Sequence, residues 1–388
     1  MKNKAINRLS QIVSHKDIGL WVVALSWFII NSGLYLLYGI QTGLESEKYI
    51  NQATQLYETG GVSEFRYHFY FGIIGLLYFV KLLGLNIYSA IYIQLAVSLA
   101  AHLYLYNSLK LNPAISISSR TSALLLVIIA PSFEYWNWTL YSESIFFSAI
   151  LFFAATCIKN KPTDKRSIAI QVLLLTFCIL SRPSGVLLII PWILYVLQTN
   201  FKHRSWKMIS ACLLAGGVAF IAISNVILGT IGGWHVMDPF TNGYVICDIS
   251  EYSQAHQFSL TANSPIGQLI EFTLKYPAEF LSLTFKKLVA FFTQYRDYYS
   301  PLHNAYVIIY SLVTLGLFLK GLIFGKLKDP LTLMLYSAIA LWTISIIFQC
   351  DDYHSRFYNA ILPLVILVGI NPVARSFKKN CAKLKGEV

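Results

Sequence analysis

Glu45 and Glu47 are well placed for acid–base chemistry, because both follow directly after a long apolar run of the sequence. A carboxylate within hydrogen-bonding distance of a hydroxyl group can accept its proton as a general base. On a helix, Glu45, Tyr49 and Gln52 would share one face, whereas Glu47 would point away from it. The alternative is a capping box with Thr42, in which the Glu45 side chain only binds a backbone amide at the helix start.

Glu143 and Arg182 are two further charged residues that lie next to apolar runs. Glu143 falls at the start of the run 141–158, where a carboxylate so close to hydrocarbon is costly and indicates a role or a partner. It could also be a simple charge at a helix start. Arg182 precedes Pro183 in the middle of the stretch 168–198, where its guanidinium could bind a lipid phosphate through two hydrogen bonds. The alternative for Arg182 is a side chain that only reaches out to the membrane interface.

Asp351, Asp352 and Arg356 lie close together at the start of the last long apolar run. The guanidinium of Arg356 is a second candidate for binding a phosphate. Two adjacent aspartates can bind a divalent cation, although such pairs are more often solvated loop charges. We therefore expect no resident cofactor, and Asp351 and Asp352 are the weak candidates for a divalent cation.

Several basic residues punctuate the long segment 230–302, namely Lys275, Lys286, Lys287 and Arg296. A basic set close to the membrane suits an anionic lipid headgroup. Ordinary surface solubility explains it almost as well.

The six cysteines are scattered, without the CxxC or His/Cys spacing of a zinc site. Cys247 and Cys350 are the two that fall in predicted external segments. They could form a disulfide, or remain free like many cysteines of apolar proteins.

The elements that must position these residues are membrane-spanning helices. Hydrophobic residues make up 56% of the 388-residue chain and charged residues only 12%, whereas soluble proteins have about 25% charged residues. Apolar stretches close to the roughly 20 residues that a helix needs to cross a bilayer occur at about 18–40, 87–109, 121–138, 141–158, 206–228, 303–324, 331–349 and 357–372. The longer stretch 168–198 is interrupted by Pro183 and predicts a hairpin of two short spans. The predicted fold class is an all-α, polytopic membrane protein with about ten transmembrane helices.

Lys and Arg recur between the apolar runs, and most of them become cytoplasmic if both termini are inside. The net charge of +12 therefore reports topology, and we expect no nucleic-acid partner. This topology gives long external loops at 41–86 and 230–302 and a cytoplasmic tail at 373–388. Within the first loop, 69–83 is too short to span and predicts a helix that lies along or dips into the interface. We interpret 1–388 as a single transmembrane domain.

The order of these motifs resembles the GT-C superfamily of membrane glycosyltransferases that use polyprenyl-phosphate sugars. The resemblance is to bacterial members related to protein mannosyltransferases and to the aminoarabinose transferase of lipid A. The motifs that carry it are Glu45-x-x-x-Tyr49-x-x-x-Ala53, Ser142-Glu143-Ser144-Ile145-Phe146, Ser181-Arg182-Pro183-Ser184-Gly185, Lys275-Tyr276-Pro277-Ala278-Glu279-Phe280 with Lys286-Lys287, and Ser355-Arg356-Phe357-Tyr358. Together they extend over nearly the whole chain.

The resemblance implies an inverting transfer of a sugar from a polyprenyl phosphate to a glycan, glycolipid or protein acceptor. The reaction would take place on the periplasmic face of a bacterial inner membrane. The carboxylate of the first external loop, Glu45 or Glu47, would be the general base, with Tyr49 and Glu143 in support. The sequence has Glu where the family more usually has Asp, which leaves both glutamates open. The candidates for binding the donor phosphate are Arg182, Arg356, Lys286, Lys287 and Arg296.

Two other functions remain open. A transporter or lipid flippase should have ionisable groups deep in its spans or paired broken helices, and the sequence suggests only the break at Arg182. A polysaccharide polymerase or ligase would work in the same setting with a different donor.

Overall fold

The computed structural model describes residues 17–43, 45–201, 237–247, 249–252, 258–325, 329–351 and 353–385. The predicted span 206–228 and the cation candidate Asp352 lie outside this part of the chain. The α-helices, in chain order, are α1 (Ile18–Tyr38), α2 (Glu45–Thr59), α3 (Phe71–Leu82), α4 (Ser89–Lys110), α5 (Ile117–Ile128), α6 (Ser142–Lys159), α7 (Lys165–Ser181), α8 (Ile189–Asn200), α9 (Asp238–Thr241), α10 (Pro265–Lys275), α11 (Pro277–Thr293), α12 (Pro301–Phe324), α13 (Pro330–Ile347) and α14 (Arg356–Lys385). Short 3-10 helices occur at Phe65–Tyr70, Glu134–Trp138, Pro183–Leu188 and Tyr353–Ser355, and β1 (Tyr244–Ile246) pairs antiparallel with β2 (Ile249–Ser250).

Within the described residues, six helical segments are long and apolar enough to cross a bilayer. They are Ile18–Tyr38, Ser89–Lys110, Ser142–Lys159, Pro183–Asn200, Pro301–Phe324 and Pro330–Ile347. Helix α5 and the part of α14 up to Ile370 are apolar but shorter. The chain is therefore a mostly α-helical membrane protein, as the composition predicts.

Side-chain caps define where several of these helices begin. The side chains of Ser116, Asp164, Ser264, Ser300 and Asp329 each accept a hydrogen bond from a backbone amide in the first turn of the following helix. Such caps satisfy amides that have no partner within the helix. The cap residues therefore fix the boundaries between loops and apolar helices.

One end of the helix bundle carries basic side chains, and we call it the basic end. Asp17 accepts a hydrogen bond from the Tyr106 hydroxyl at 2.6 Å and lies 3.2 Å from Lys110 Nζ, which joins the start of α1 to the end of α4. At the same end, Lys159 Nζ at the end of α6 lies 5.3 Å from the Tyr104 ring centroid. These contacts align α1, α4 and α6 within the bundle.

The opposite end of the bundle brings together the chain segments that contain the charged motifs. Gln41, just after α1, pairs with Thr139, just before α6. Cys247 and Cys350 are joined by a disulfide, which holds the segment around β1 against the connection between α13 and α14. The Asp351 amide donates to the Val245 carbonyl at 2.8 Å and extends this connection. Residues far apart in sequence therefore meet at this end.

The predicted span 121–138 is not one continuous helix. Helix α5 ends three residues before Pro131, and the rest of the stretch forms a turn and the 3-10 helix Glu134–Trp138. Proline lacks an amide hydrogen and disfavours a helical residue before it, which explains the break. Gln94 of α4 then donates to the Asn137 carbonyl at 2.9 Å. The Gln94 side chain thus satisfies a backbone carbonyl that would accept a hydrogen bond within a continuous helix.

The predicted break at Arg182 is confirmed. Arg182 has an extended backbone, with φ −162°, between α7 and the 3-10 helix Pro183–Leu188. Gly185 packs so closely on α7 that a Cβ atom there would lie 2.5 Å from the Cys178 carbonyl oxygen. The break and this close approach fix the direction in which the chain leaves α7.

The apolar part of the first loop forms α3, whose buried residues are Ile73, Ile74, Leu77 and Val80. Its Gly72 lies against the end of α7, where a Cβ atom would be 2.5 Å from the Ser181 hydroxyl. Phe79 and Leu82 on the other face are exposed. Helix α3 thus packs one apolar face on the protein core and leaves apolar side chains exposed on the other, and it supports the chain just before Arg182.

Candidate active site

Glu45 is the first residue of α2. Its amide donates to the Tyr141 hydroxyl at 3.3 Å, and that hydroxyl donates to the Gly43 carbonyl at 3.1 Å. Tyr49 is buried on the same helix and Glu47 is exposed, as the helical spacing predicts. The Glu45 carboxylate is one-third exposed and accepts a hydrogen bond from Arg356. The side chain therefore contacts a guanidinium and remains open to solvent.

Glu143 lies in the first turn of α6 with its side chain fully buried. Its Oε1 accepts hydrogen bonds from Arg182 and, at 2.9 Å, from Arg356. The position at a helix N-terminus also favours a negative charge. Because an unpaired buried carboxylate is strongly unfavourable, the two guanidiniums supply the partners that this position needs.

Arg356 links the two carboxylates. Its Nη1 donates to Glu143 Oε1 and, at 3.0 Å, to Glu45 Oε2. The two residues before Arg356, His354 and Ser355, have left-handed backbones with φ 57° and 52°. That conformation is uncommon for residues other than glycine, and such strain concentrates at functional sites. We call Glu45, Glu143, Arg182 and Arg356 the four-charge cluster; its formal charge is zero.

Tyr49 lies behind the four-charge cluster and packs on Tyr70, with 5.4 Å between the ring centroids. Burial raises the pKa of Tyr49 well above its ordinary value, and the nearby Tyr70 and the carboxylates of Glu45 and Glu143 raise it further. Burial likewise raises the pKa of Tyr70. Both phenols therefore remain protonated and can donate hydrogen bonds but cannot act as bases.

The other basic candidates have partners of their own. Lys286 is half-exposed and pairs with Glu251 at 2.7 Å. Lys287 is buried with its Nζ 4.2 Å from the Phe240 ring centroid and 3.3 Å from the Ile347 carbonyl oxygen. Burial lowers the pKa of Lys287 to about 7. These lysines pack within the segment around β1 and α11 and against the end of α13.

Arg296 is buried in an ion pair with Asp351, at 2.5 Å between Nη2 and Oδ2. Its Nη1 also donates to the carbonyls of Ala290 and Tyr295 at 2.9 and 2.8 Å. The pair lies beside the disulfide of Cys350. Asp351, a cation candidate, is thus held by a guanidinium, and no group of three His, Cys, Asp or Glu residues that could hold a metal occurs in the described segments.

His102 and Glu134 form a buried polar network that the sequence analysis missed. Their side chains are 0% and 1% exposed, and His102 Nε2 lies 3.1 Å from Glu134 Oε1. Glu134 Oε2 accepts from Asn31 at 3.1 Å and from Asn137 at 2.5 Å. From the sequence we expected no ionisable group deep in the predicted spans and only a helix break at Arg182, and this buried pair shows that the first expectation was wrong. The sequence did contain a signal for this pair, because His102 lies within the predicted span 87–109 and Glu134 within the predicted span 121–138.

Neither a scan against protein-family models nor searches of curated proteins and of solved structures gave a match to this chain. The chemical capacity of the site therefore has to be judged from its geometry. A partly exposed carboxylate, Glu45, contacts the Arg356 guanidinium, and the buried carboxylate of Glu143 holds both Arg356 and Arg182. This arrangement can accept a proton and bind an anion within the same small space.

Proposed function

We propose that this chain is a membrane glycosyltransferase that moves a sugar from a polyprenyl phosphate to a hydroxyl-bearing acceptor. The observation that carries the proposal is the four-charge cluster, in which Arg356 contacts both Glu45 and Glu143. The cluster unites four of the motifs that resemble the GT-C superfamily. This reaction requires a base and a pair of cationic side chains that bind the phosphate, and the cluster contains both.

In the proposed reaction, the acceptor oxygen attacks the anomeric carbon of the donor and its proton passes to the Glu45 carboxylate. The bond between the anomeric carbon and the phosphate oxygen breaks, and the polyprenyl phosphate leaves with the electron pair. Because the leaving group is an anion, it needs positive charge rather than a general acid. Arg182 and Arg356 provide that charge. A single displacement of this kind inverts the anomeric centre.

Glu143 is a positioning residue in this proposal. Its buried carboxylate contacts both arginines, so it can hold the guanidiniums in place while one of them exchanges a contact for the phosphate. Glu45 is assigned as the base because its carboxylate is partly exposed and contacts Arg356. Glu47 is exposed on α2 and lies on another face from Tyr49.

The proposed topology has ten spans, both termini in the cytoplasm and the four-charge cluster on the periplasmic side of a bacterial inner membrane. Asn200 at the end of α8 donates to the Pro162 carbonyl at 2.7 Å, close to the basic end. The next described residues lead into the disulfide of Cys247 at the opposite end. The predicted span 206–228 would make this connection. The positive-inside rule supports a cytoplasmic location for the basic end.

A proton-coupled transporter is a second candidate, which the buried pair of His102 and Glu134 favours. Both side chains are enclosed and bind neighbouring helices, an arrangement that also suits a purely structural role. A polysaccharide polymerase or ligase shares the setting and differs in its donor.

Mass spectrometry of the envelope glycans and glycolipids, from cells with and without the gene, tests the proposal. We expect one sugar to disappear from one class of envelope molecule when the gene is deleted and to return with a plasmid copy. An unchanged sugar content in all envelope fractions, with a changed distribution of a solute or lipid across the membrane, would instead support a transporter.

A further inference from the structure

Trp136 lies at the centre of an aromatic cluster beside the four-charge cluster. Its ring stacks on that of Tyr141, with 5.7 Å between the centroids and 28° between the planes. The His354 ring packs edge-on against it at 5.9 Å. The Arg356 guanidinium lies 5.6 Å from its centroid. Three side chains from two separate parts of the chain, Tyr141 and the pair His354 and Arg356, therefore converge on one indole.

The burial of these rings differs in a way that suggests a ligand surface. Trp136 is 3% exposed, whereas Tyr141 and His354 are only half-buried. The indole thus forms a buried base that supports two partly open rings. Its Nε1 is buried and has no hydrogen-bond partner among the described residues. A buried donor of this kind needs an acceptor, and a hydroxyl group of a ligand is a suitable one.

The partly open rings are held next to the reacting groups. The Tyr141 hydroxyl accepts a hydrogen bond from the Glu45 amide, so this ring lies at the start of the helix that carries the proposed base. His354 has a left-handed backbone two residues before Arg356. That backbone conformation, which is strained for a residue other than glycine, places the imidazole on the same indole as the guanidinium.

We propose that Tyr141 and His354, supported by Trp136, form a binding platform for the sugar ring of the donor. The inference rests on the proposed function, because it assumes that Arg356 binds the donor phosphate. A single oxygen atom links that phosphate to the anomeric carbon. A sugar whose phosphate contacts Arg356 therefore lies beside the indole that Arg356 covers.

The chemistry of a sugar suits this platform. One face of a pyranose or furanose ring presents C–H bonds, whose partial positive charge is attracted by the negative face of an aromatic ring. The edge of the sugar presents hydroxyl groups, which can meet Trp136 Nε1. The platform would orient the sugar so that its anomeric carbon faces Glu45. It would thus select the sugar, while the arginines select the phosphate.

A binding experiment that separates the sugar from the phosphate tests this inference. The full-length protein in nanodiscs is titrated with citronellyl-phosphate mannose, citronellyl-phosphate glucose and bare citronellyl phosphate. For the wild-type protein we expect at least one sugar-bearing lipid to bind about tenfold more tightly than the bare lipid phosphate. Tyr141→Phe, which keeps the ring, should preserve this ratio.

Tyr141→Leu and His354→Asn, which remove a ring, should reduce the ratio to about two or less without changing the affinity for the bare lipid phosphate more than twofold. Asparagine is chosen at 354 because it tolerates a left-handed backbone. Tyr38→Leu is the control, since Tyr38 is an exposed aromatic residue that packs on Tyr135 instead of on Trp136. Unchanged binding of the bare lipid phosphate also shows that each variant is folded.

Three results would contradict the inference, and they are distinguishable. If the sugar tightens wild-type binding but both ring-removing variants keep the full ratio, the platform is wrong and the proposed function stands. If the sugar adds nothing to wild-type binding, the platform is likewise wrong. If the wild-type protein binds neither kind of lipid, the proposed function fails together with it.

Discussion

At the scale of single residues, Glu143 determines how the four-charge cluster responds to substitution. Replacing either arginine leaves Glu143 with the other as a partner. Glu143→Gln, in contrast, removes the buried negative charge that both guanidiniums share. Removal of one partner of a buried ion pair lowers the free energy of unfolding by about 3–5 kcal/mol. We expect Glu143→Gln to lower thermal stability in detergent more than Arg182→Gln or Arg356→Gln does. Equal melting temperatures for the three variants would contradict this role of Glu143.

The two arginines should affect donor binding more than stability. Arg182→Lys and Arg356→Lys keep the charge but lose the planar guanidinium, which can bind a phosphate through two hydrogen bonds. We expect each variant to bind polyprenyl phosphate roughly tenfold more weakly, which corresponds to about 1.4 kcal/mol. Lys286→Gln is the matched control, because Lys286 is half-exposed and pairs with Glu251. Weaker binding in the control alone would place the phosphate near the second external segment instead.

Lys287 should make stability depend on pH. Its pKa falls from an ordinary value of 10.5 to about 7 in the folded protein. Between these values the unfolded chain binds more protons than the folded one, so stability rises as the pH increases from about 7 towards 10.5. We expect the melting temperature of the wild-type protein to rise between pH 7 and pH 9 more than that of Lys287→Met. Parallel pH profiles for the two proteins would show that Lys287 keeps its ordinary pKa.

At the scale of elements, the connection between α7 and α8 positions Arg182. A Cβ atom on Gly185 would lie 2.5 Å from the Cys178 carbonyl oxygen, so Gly185→Ala must move the chain that carries Arg182. We expect this variant to lose most of its sugar transfer while it still inserts into the membrane. Gly33→Ala in α1 is the control, because a Cβ atom there meets nothing within 4 Å. Full activity of Gly185→Ala would mean that the site tolerates a shift of this connection.

Local signals in the sequence predict some of these elements well. Pro183 indicates the break at Arg182, and helical spacing places Glu45 and Tyr49 on one side of α2, away from Glu47. The pairing of Glu45 with Arg356 across 311 residues could not be predicted, because apolar periodicity does not show which helix ends meet. For the same reason the sequence leaves Arg296 as one of several candidates for binding a phosphate, whereas the fold pairs it with Asp351. The sequence thus identifies charged candidates, and the packing of helices decides their partners.

At the scale of the whole molecule, the two ends of the bundle should face opposite sides of the membrane. Tyr57 and Ser259 are exposed in the two segments that we predict to be external, and Lys161 is exposed at the basic end. We expect a membrane-impermeant maleimide to label single cysteines at Tyr57 and Ser259 from outside the cell, and a cysteine at Lys161 only after the membrane is opened. The parent protein without these cysteines gives the background. Labelling of Tyr57 and Lys161 from the same side would contradict the topology.

The four-charge cluster lies at one end of the bundle, and the described chain contains no soluble domain. The proposed chemistry therefore depends on residues at helix ends. A donor that resides in the bilayer could reach such a site directly from the membrane. The base is then the residue whose loss should stop the reaction and leave the fold intact. In this account that residue is Glu45.

The most direct test is complementation of the gene deletion with Glu45→Gln and Glu47→Gln, read by mass spectrometry of the sugar that the deletion removes. Glu45→Gln keeps the size of the side chain but removes the proton acceptor, so transfer should fall by roughly 10²-fold or more. Glu47→Gln, at the same protein level in the membrane, should restore the sugar. Restoration of the sugar by Glu45→Gln to the wild-type level would contradict the assignment of Glu45 as the base.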